Sequence, residues 1–228
     1  MASRPRGEGE GVEVKVFSLG DNVWRYIQDF PVVPFCNRCM SVNVGVYVSG
    51  TLNWLAIRNQ ENKDYNWKFI NLEQFVIISL DLGKERYRQL LLPQGFDRVP
   101  QQEPSISVLM DYLCFSHNTE ENYFVIWQMK EFGIEESWTR LLKISYQSLQ
   151  NAFLPSYQTA EWLPYWCKLF IFPVCVSENG NKLILAYEEG YYPIVYNFTE
   201  NRAEQIRITN SIRWIRSKDY VESLVSTC

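Results

Sequence analysis

The sequence predicts an all-β protein. Antiparallel four-stranded units are expected to stack into a partial β-propeller-like array, with at most short helices. Three observations carry this. Among 228 residues there are 8 Trp, 14 Tyr and 13 Phe, together 15% of the chain, and aromatic side chains favour pleated, half-buried surfaces. Short apolar runs alternate with polar residues at period two, the signature of strands with one solvated face. Finally, these runs are punctuated by Ser-Gly, Asn-Gly and Asp-containing turns, the residues that tight hairpins require.

Along the chain, Met1 to Gly11 is Gly, Pro and charge with a single Ala, a composition expected to form a disordered lead-in over 1–11. From Val12 the pattern changes. Val12, Val14 and Val16 alternate with Glu13 and Lys15, and Trp24-Arg25-Tyr26-Ile27 returns beyond an Asp21-Asn22 turn. The same design recurs at Phe75–Leu80 with Tyr87–Leu90, at Tyr123–Met129 with Trp138–Leu141, and at Ile194–Phe198 with Gln205–Ile208. A second kind of hairpin lies between these. Gly45–Leu55 turns at Ser49-Gly50, Ile106–Phe115 at Met110-Asp111, and Phe172–Ala186 through Asn179-Gly180. Hairpin plus hairpin makes a four-stranded unit, and three are expected, roughly 42–93, 103–155 and 168–209, preceded by a two-stranded half-unit at 12–30. A single β-sandwich is the rival arrangement. Helical turns are expected at Ser145–Phe153 and Ser156–Leu163.

Charge narrows the function. A net charge of −4 and a pI near 5.2 lack the phosphate-neutralising surplus of a nucleic-acid binder, whose domain pI usually exceeds about 9. The basic stretch Arg207 to Lys218 is interleaved with Ile206, Ile208, Ile212, Trp214 and Ile215, as on a strand with one solvated face. No apolar run approaches the roughly 18 residues that span a bilayer, and the N-terminus has no signal-peptide core. A cytoplasmic or nuclear location is therefore expected, with no membrane and no nucleic acid among the partners. There the six cysteines read as reduced, small hydrophobes.

No set of residues reads as an active site, and no cofactor, metal or catalytic group is expected. Cys36-Asn37-Arg38-Cys39 is one C-x-x-C without the second ligand pair of a structural zinc site. His117 reads as a turn histidine, and Glu120-Glu121, Glu135-Glu136 and Glu188-Glu189 as solvated loop charge, since strand neighbours point to opposite faces. The suggestive residues are aromatic: Trp162, Tyr165 and Trp166 beside Pro164, and Tyr191 and Tyr192 beside Gly190 and Pro193. Large amphipathic rings on loops are common anchors of protein-binding surfaces, and equally common as core between sheets.

Val14-Lys15-Val16-Phe17-Ser18-Leu19 followed by Trp24-Arg25, then Gly45–Leu55, Ile78-Ser79-Leu80-Asp81-Leu82, Ser137-Trp138-Thr139-Arg140 and Tyr220–Val225, together resemble the F-box-associated domain of plant F-box proteins, from about Val12 to Val225. The resemblance implies a non-enzymatic interaction module, the substrate-recruiting domain of an SCF-type E3 ubiquitin ligase receptor. Its partner would be a target protein. The ligase adaptor would join only where an F-box, a helical segment these residues do not supply, is provided. Residues 12–228 are accordingly expected to form an N-terminally incomplete domain of this type. The alternative, from another class, is a carbohydrate- or small-ligand-binding β domain that uses the aromatic loops.

Overall fold

A computed structural model describes residues 2–5, 12–35, 45–58, 70–100, 102–120, 122–153, 171–187 and 193–206. They form four antiparallel sheets that follow one another in chain order, with little helix. The first sheet holds β1 (Ala2–Pro5), β2 (Val12–Ser18) and β3 (Val23–Phe30). The second holds β4 (Val32–Pro34), β5 (Val46–Val48), β6 (Thr51–Arg58), β7 (Phe75–Asp81) and β8 (Arg86–Leu90). The third runs through β9 (Ser105–Leu109), β10 (Tyr112–Asn118), β11 (Tyr123–Met129) and β12 (Trp138–Ser145). The fourth runs through β13 (Ile171–Val176), β14 (Lys182–Tyr187), β15 (Ile194–Asn197) and β16 (Arg202–Gln205). One helix, α1 (Tyr146–Phe153), follows β12.

Each neighbouring pair of sheets encloses its own core. Val14, Ile27 and Phe30 of the first sheet meet Trp54, Ala56, Val76 and Ile78 of the second. Leu55, Ile57, Phe75 and Ile77 on the opposite face meet Leu113, Phe115 and Met129 of the third. Cys114, Phe124 and Ile126, turned the other way, meet Leu183, Leu185, Ile194 and Tyr196 of the fourth. Alternate residues of one strand thus feed different cores, which is why β6, β7, β10 and β11 read as nearly unbroken apolar runs. A fully buried Ile, Leu or Phe contributes about 1.5–3 kcal/mol of transfer free energy. Stacked sheets with alternating cores are a β-propeller-type arrangement, not one two-sheet sandwich.

The hairpin turns account for the register. Ser49-Gly50 and Met110-Asp111 take positive φ at both central positions (50°, 76° and 52°, 62°), the two-residue geometry whose twist matches the flanking strands. Gly50→Val is expected to cost about 1–3 kcal/mol, because a β-branched residue is strained at φ +76°. The check is the urea midpoint of unfolding at unchanged m-value.

Three expectations need correction. Residues 2–5 are a strand, not disordered lead-in, pairing from Ala2 opposite Lys15 to Pro5 opposite Val12. Backbone pairing to an open edge does not require an apolar sequence, and Pro5 sits at the strand end, where a missing N–H is tolerated. The opening half-unit accordingly has three strands. The second sheet starts earlier than residue 42, because β4 and β5 share one edge of β6. Val32–Pro34 lie opposite Arg58–Ala56 and Val46–Val48 opposite Asn53–Thr51, so one edge strand is interrupted after Phe35, whose N–H still donates to the Leu55 carbonyl at 2.8 Å. In the last hairpin the return strand begins at Arg202 rather than Gln205. Residues 154–170, which contain the second expected helical turn, and the basic stretch 207–218 lie outside the described residues.

Candidate interaction surface

The two ends of the strands differ. At one end lie the tight turns at 49–50, 82–85, 110–111 and 198–201, together with the 130–137 connection between β11 and β12. At the other end the chain makes its long excursions, 59–74 between β6 and β7, 91–104 between β8 and β9, and 146–170 between β12 and β13. Long connections on a rigid scaffold are where binding residues concentrate.

Two adjoining depressions, of about 500 and 430 Å3, open at this end between the second and third sheets and share Leu72 and Glu73. The larger adds Asn71, Arg98, Val99 and Glu120. The other has a more apolar lining that includes Phe75, Leu91, Leu92, Pro93 and Phe96, with Arg58 at its side.

Local bonding holds this groove in shape. Residues 72–74 form a single 3-10 turn, closed by Asn71 N–H to Gln74 Oε1 (2.8 Å) and Gln74 N–H to the Asn71 carbonyl (3.1 Å). Gln74 Nε2 donates onward to the Arg58 carbonyl at 3.4 Å. The Arg58 guanidinium is committed to Gln89 Oε1 (2.8 Å) and to the Glu73 carbonyl (3.4 Å). On the facing wall, Leu91 is gripped from both sides. Its N–H donates to Glu135 Oε1 at 2.8 Å and its carbonyl accepts from Trp138 Nε1 at 3.0 Å. Arg98 Nη1 pairs with Glu120 Oε2 at 2.6 Å. Glu120 sits on a solvated turn, as expected, and both it and Glu135 hold named partners.

Beneath the groove lies an aromatic wedge. Phe96 sets its ring edge to face against Phe75, Phe115 and His117, with centroids 5.4, 5.0 and 5.0 Å away. Gly95 lets the chain pass over the Trp127 indole, since a Cβ there would lie 2.3 Å from a ring carbon. His117 belongs to β10 and is buried at 6% exposure, so the turn histidine of the sequence reading is a core residue. The strand continues beyond the apolar run, with Ser116, His117 and Asn118 opposite Ile126, Val125 and Phe124, and His117 is held within it. Its Nε2 accepts the Trp127 Nε1 hydrogen at 3.2 Å. The proton must then sit on Nδ1, which reaches the Asn118 carbonyl at 3.3 Å. Burial lowers the His117 pKa below its ordinary value, opposed by the Asn118 carbonyl and by Asp97. The Cys114 thiol is likewise buried, and desolvation pushes its pKa up to about 12, which leaves it protonated and unreactive.

The chain was also compared with known proteins. The model of the F-box associated beta propeller domain matches residues 2–227. This chain belongs to that family. Among curated relatives from Arabidopsis thaliana, the F-box/kelch-repeat protein At3g23880 is 25% identical over 94% of this chain and 49% of its own length. The F-box protein At4g22390 is 26% identical over 76% of this chain and 38% of its own length. The F-box protein CPR1 is 25% identical over 58% and 32%, respectively. The chain thus spans about half, or less, of the curated relatives it matches. The family match begins ten residues before the Val12 start read from sequence, in keeping with the pairing of β1 to β2 in this F-box associated domain.

Of the aromatic residues singled out in sequence, Trp162, Tyr165, Trp166, Tyr191 and Tyr192 lie outside the described residues, as do Cys36 and Cys39. Among the described residues, no group of three or more His, Cys, Asp or Glu side chains is placed to hold a metal ion, and no helix is long and apolar enough to cross a membrane. The groove itself was not foreseen. Asn71 followed three residues later by Gln74, and Pro93 two residues before Gly95, are the local turn signals that could have marked its walls.

Proposed function

We propose that this chain is the target-recruiting module of a cullin-based ubiquitin ligase receptor, acting in the cytosol or nucleus, and that it holds the target at its long-loop end. Membership of the F-box associated family over residues 2–227 carries this reading, and the F-box proteins among its relatives support it. The surface chemistry is in keeping. The long-loop end offers an apolar-floored groove with fixed walls, which suits a protein segment. The Cys114 thiol and His117 imidazole are both buried in packing roles. The segments bearing Trp162, Tyr165 and Trp166 and Tyr191 and Tyr192 lead into β13 and β15, whose starts share one end of the fourth sheet with the end of β16, and α1 packs against that sheet with Leu149 beside Ala203 in the shared core.

Trp166→Ala or Tyr192→Ala is expected to weaken target binding by about 2 kcal/mol or more while leaving the unfolding midpoint unchanged. The measurement is affinity for a target captured by the purified chain, with urea unfolding alongside. A loss of about 3–5 kcal/mol of unfolding free energy would instead assign these rings to a core. Capture of the ligase adaptor is expected only when an F-box is joined to the chain, and stoichiometric adaptor binding without one would overturn that part of the reading.

A further inference from the structure

We infer that the groove between the second and third sheets binds an extended segment of the partner in which a Lys or Arg stands next to a bulky apolar residue. The inference rests on the target-recruiting reading above and deepens it. Of the two carboxylates lining the depressions, one is uncommitted. Glu120 is neutralised by Arg98 at 2.6 Å, whereas the Arg58 guanidinium donates to neutral acceptors, Gln89 Oε1 and the Glu73 carbonyl. Glu73 is exposed, and its carboxylate has no ion pair or hydrogen bond among the described residues. It lines both depressions, so it stands at the boundary between them.

An occupant must therefore bring positive charge to that boundary or leave the Glu73 carboxylate desolvated and unpaired, a cost that selects against neutral and acidic sequences. On one side of the boundary, the surface of Phe75, Leu92 and Phe96 fits an apolar anchor. On the other, Asn71 and the Arg98–Glu120 pair offer donors and acceptors to a peptide backbone. The wall behind the anchor is fixed before binding, because Leu91 is held at both its N–H and its carbonyl, so little ordering cost falls on this side of the complex. An acidic chain with a net charge of −4 also favours encounter with a basic partner segment.

The test is a random peptide library panned against the intact chain, followed by solution affinities of the selected peptides. Peptides pairing Lys or Arg with an adjacent apolar residue are expected to be enriched. They should bind Glu73→Lys roughly tenfold more weakly and regain affinity for that variant when their basic residue is changed to Glu. Glu73→Gln, which removes charge without reversing it, should fall between. Glu73 is exposed, so each variant should keep the wild-type unfolding midpoint. Selected peptides with no basic residue, or affinities unchanged by Glu73→Lys, would overturn the inference. A protein target that binds Glu73→Lys normally but is lost on Trp166→Ala would remove the groove from recognition and leave the recruiting function in place.

Discussion

Replacing Phe96 with alanine is expected to cost the fold about 3–5 kcal/mol, a large fraction of the stability of a typical domain. Phe96 comes from an irregular connection, yet only 8% of it is exposed. Its ring touches Phe75 of the second sheet and Phe115 and His117 of the third. Truncation therefore opens a cavity at the seam between two sheets, where β7 and β10 are already committed to their ladders and cannot close in. Each lost aromatic pair adds about 0.5–1.5 kcal/mol beyond burial. Leu91→Ala, five residues earlier in the same connection but 45% exposed, is expected to stay within about 0.5 kcal/mol. Equilibrium urea unfolding of the two variants is the measurement. Equal, small losses would mean that the 91–100 segment is draped over the seam instead of wedged into it.

The legible part of this protein was the part written in period two. Strands β7, β10 and β11 are buried on both faces, so their apolar runs stand out in any window, and the φ-positive turns at Ser49-Gly50 and Met110-Asp111 carry Gly or Asp at the second central position. Illegible features came from backbone pairing and from contacts distant in sequence. Nothing in Ala2–Pro5 looks like a strand, because what makes it one is the free edge of β2. The split edge of β6 escaped for the same reason. Val32–Pro34 and Val46–Val48 pair to one strand across a stretch of chain whose length gives no hint of the join.

His117 and the groove belong with those distant contacts. A histidine after Phe115-Ser116 and before Asn118-Thr119-Glu120 has the look of a turn. Its place in the core depends on Trp127, ten residues away on the next strand, and on Phe96 from the preceding connection. Glu73 is inconspicuous in sequence as one acidic residue in Asn71-Leu72-Glu73-Gln74. It gains meaning only where the 3-10 turn sets it between two depressions and the neighbouring arginines are already engaged.

Acidification is expected to loosen the same seam, with a sign that the His117 geometry fixes. In the folded chain His117 is neutral, accepting from Trp127 Nε1–H at Nε2 and donating from Nδ1 toward the Asn118 carbonyl. A second proton would set an Nε2–H against the indole N–H in a buried site stacked on Phe115. Burial accordingly lowers its folded pKa, against the smaller opposing effects of the Asn118 carbonyl and Asp97. The unfolded chain keeps a value near 6.5, so between the folded pKa and 6.5 the unfolded state binds more protons and stability rises with pH. The contribution is fully present above about pH 6.5 and is lost as pH falls from there toward the folded value. Each unit of separation is worth about 1.4 kcal/mol. Asp81, whose carboxylate is held below its ordinary pKa first by the Lys84 N–H, at 2.9 Å, acts at a lower pH. Its contribution is present above about 4 and fades only below that. Urea unfolding from pH 7.5 to 4.5 should therefore show a decline that His117→Gln, which keeps an acceptor for Trp127 but does not titrate, removes. A pH slope unchanged in His117→Gln would mean that the imidazole is hydrated and free to charge in the folded state.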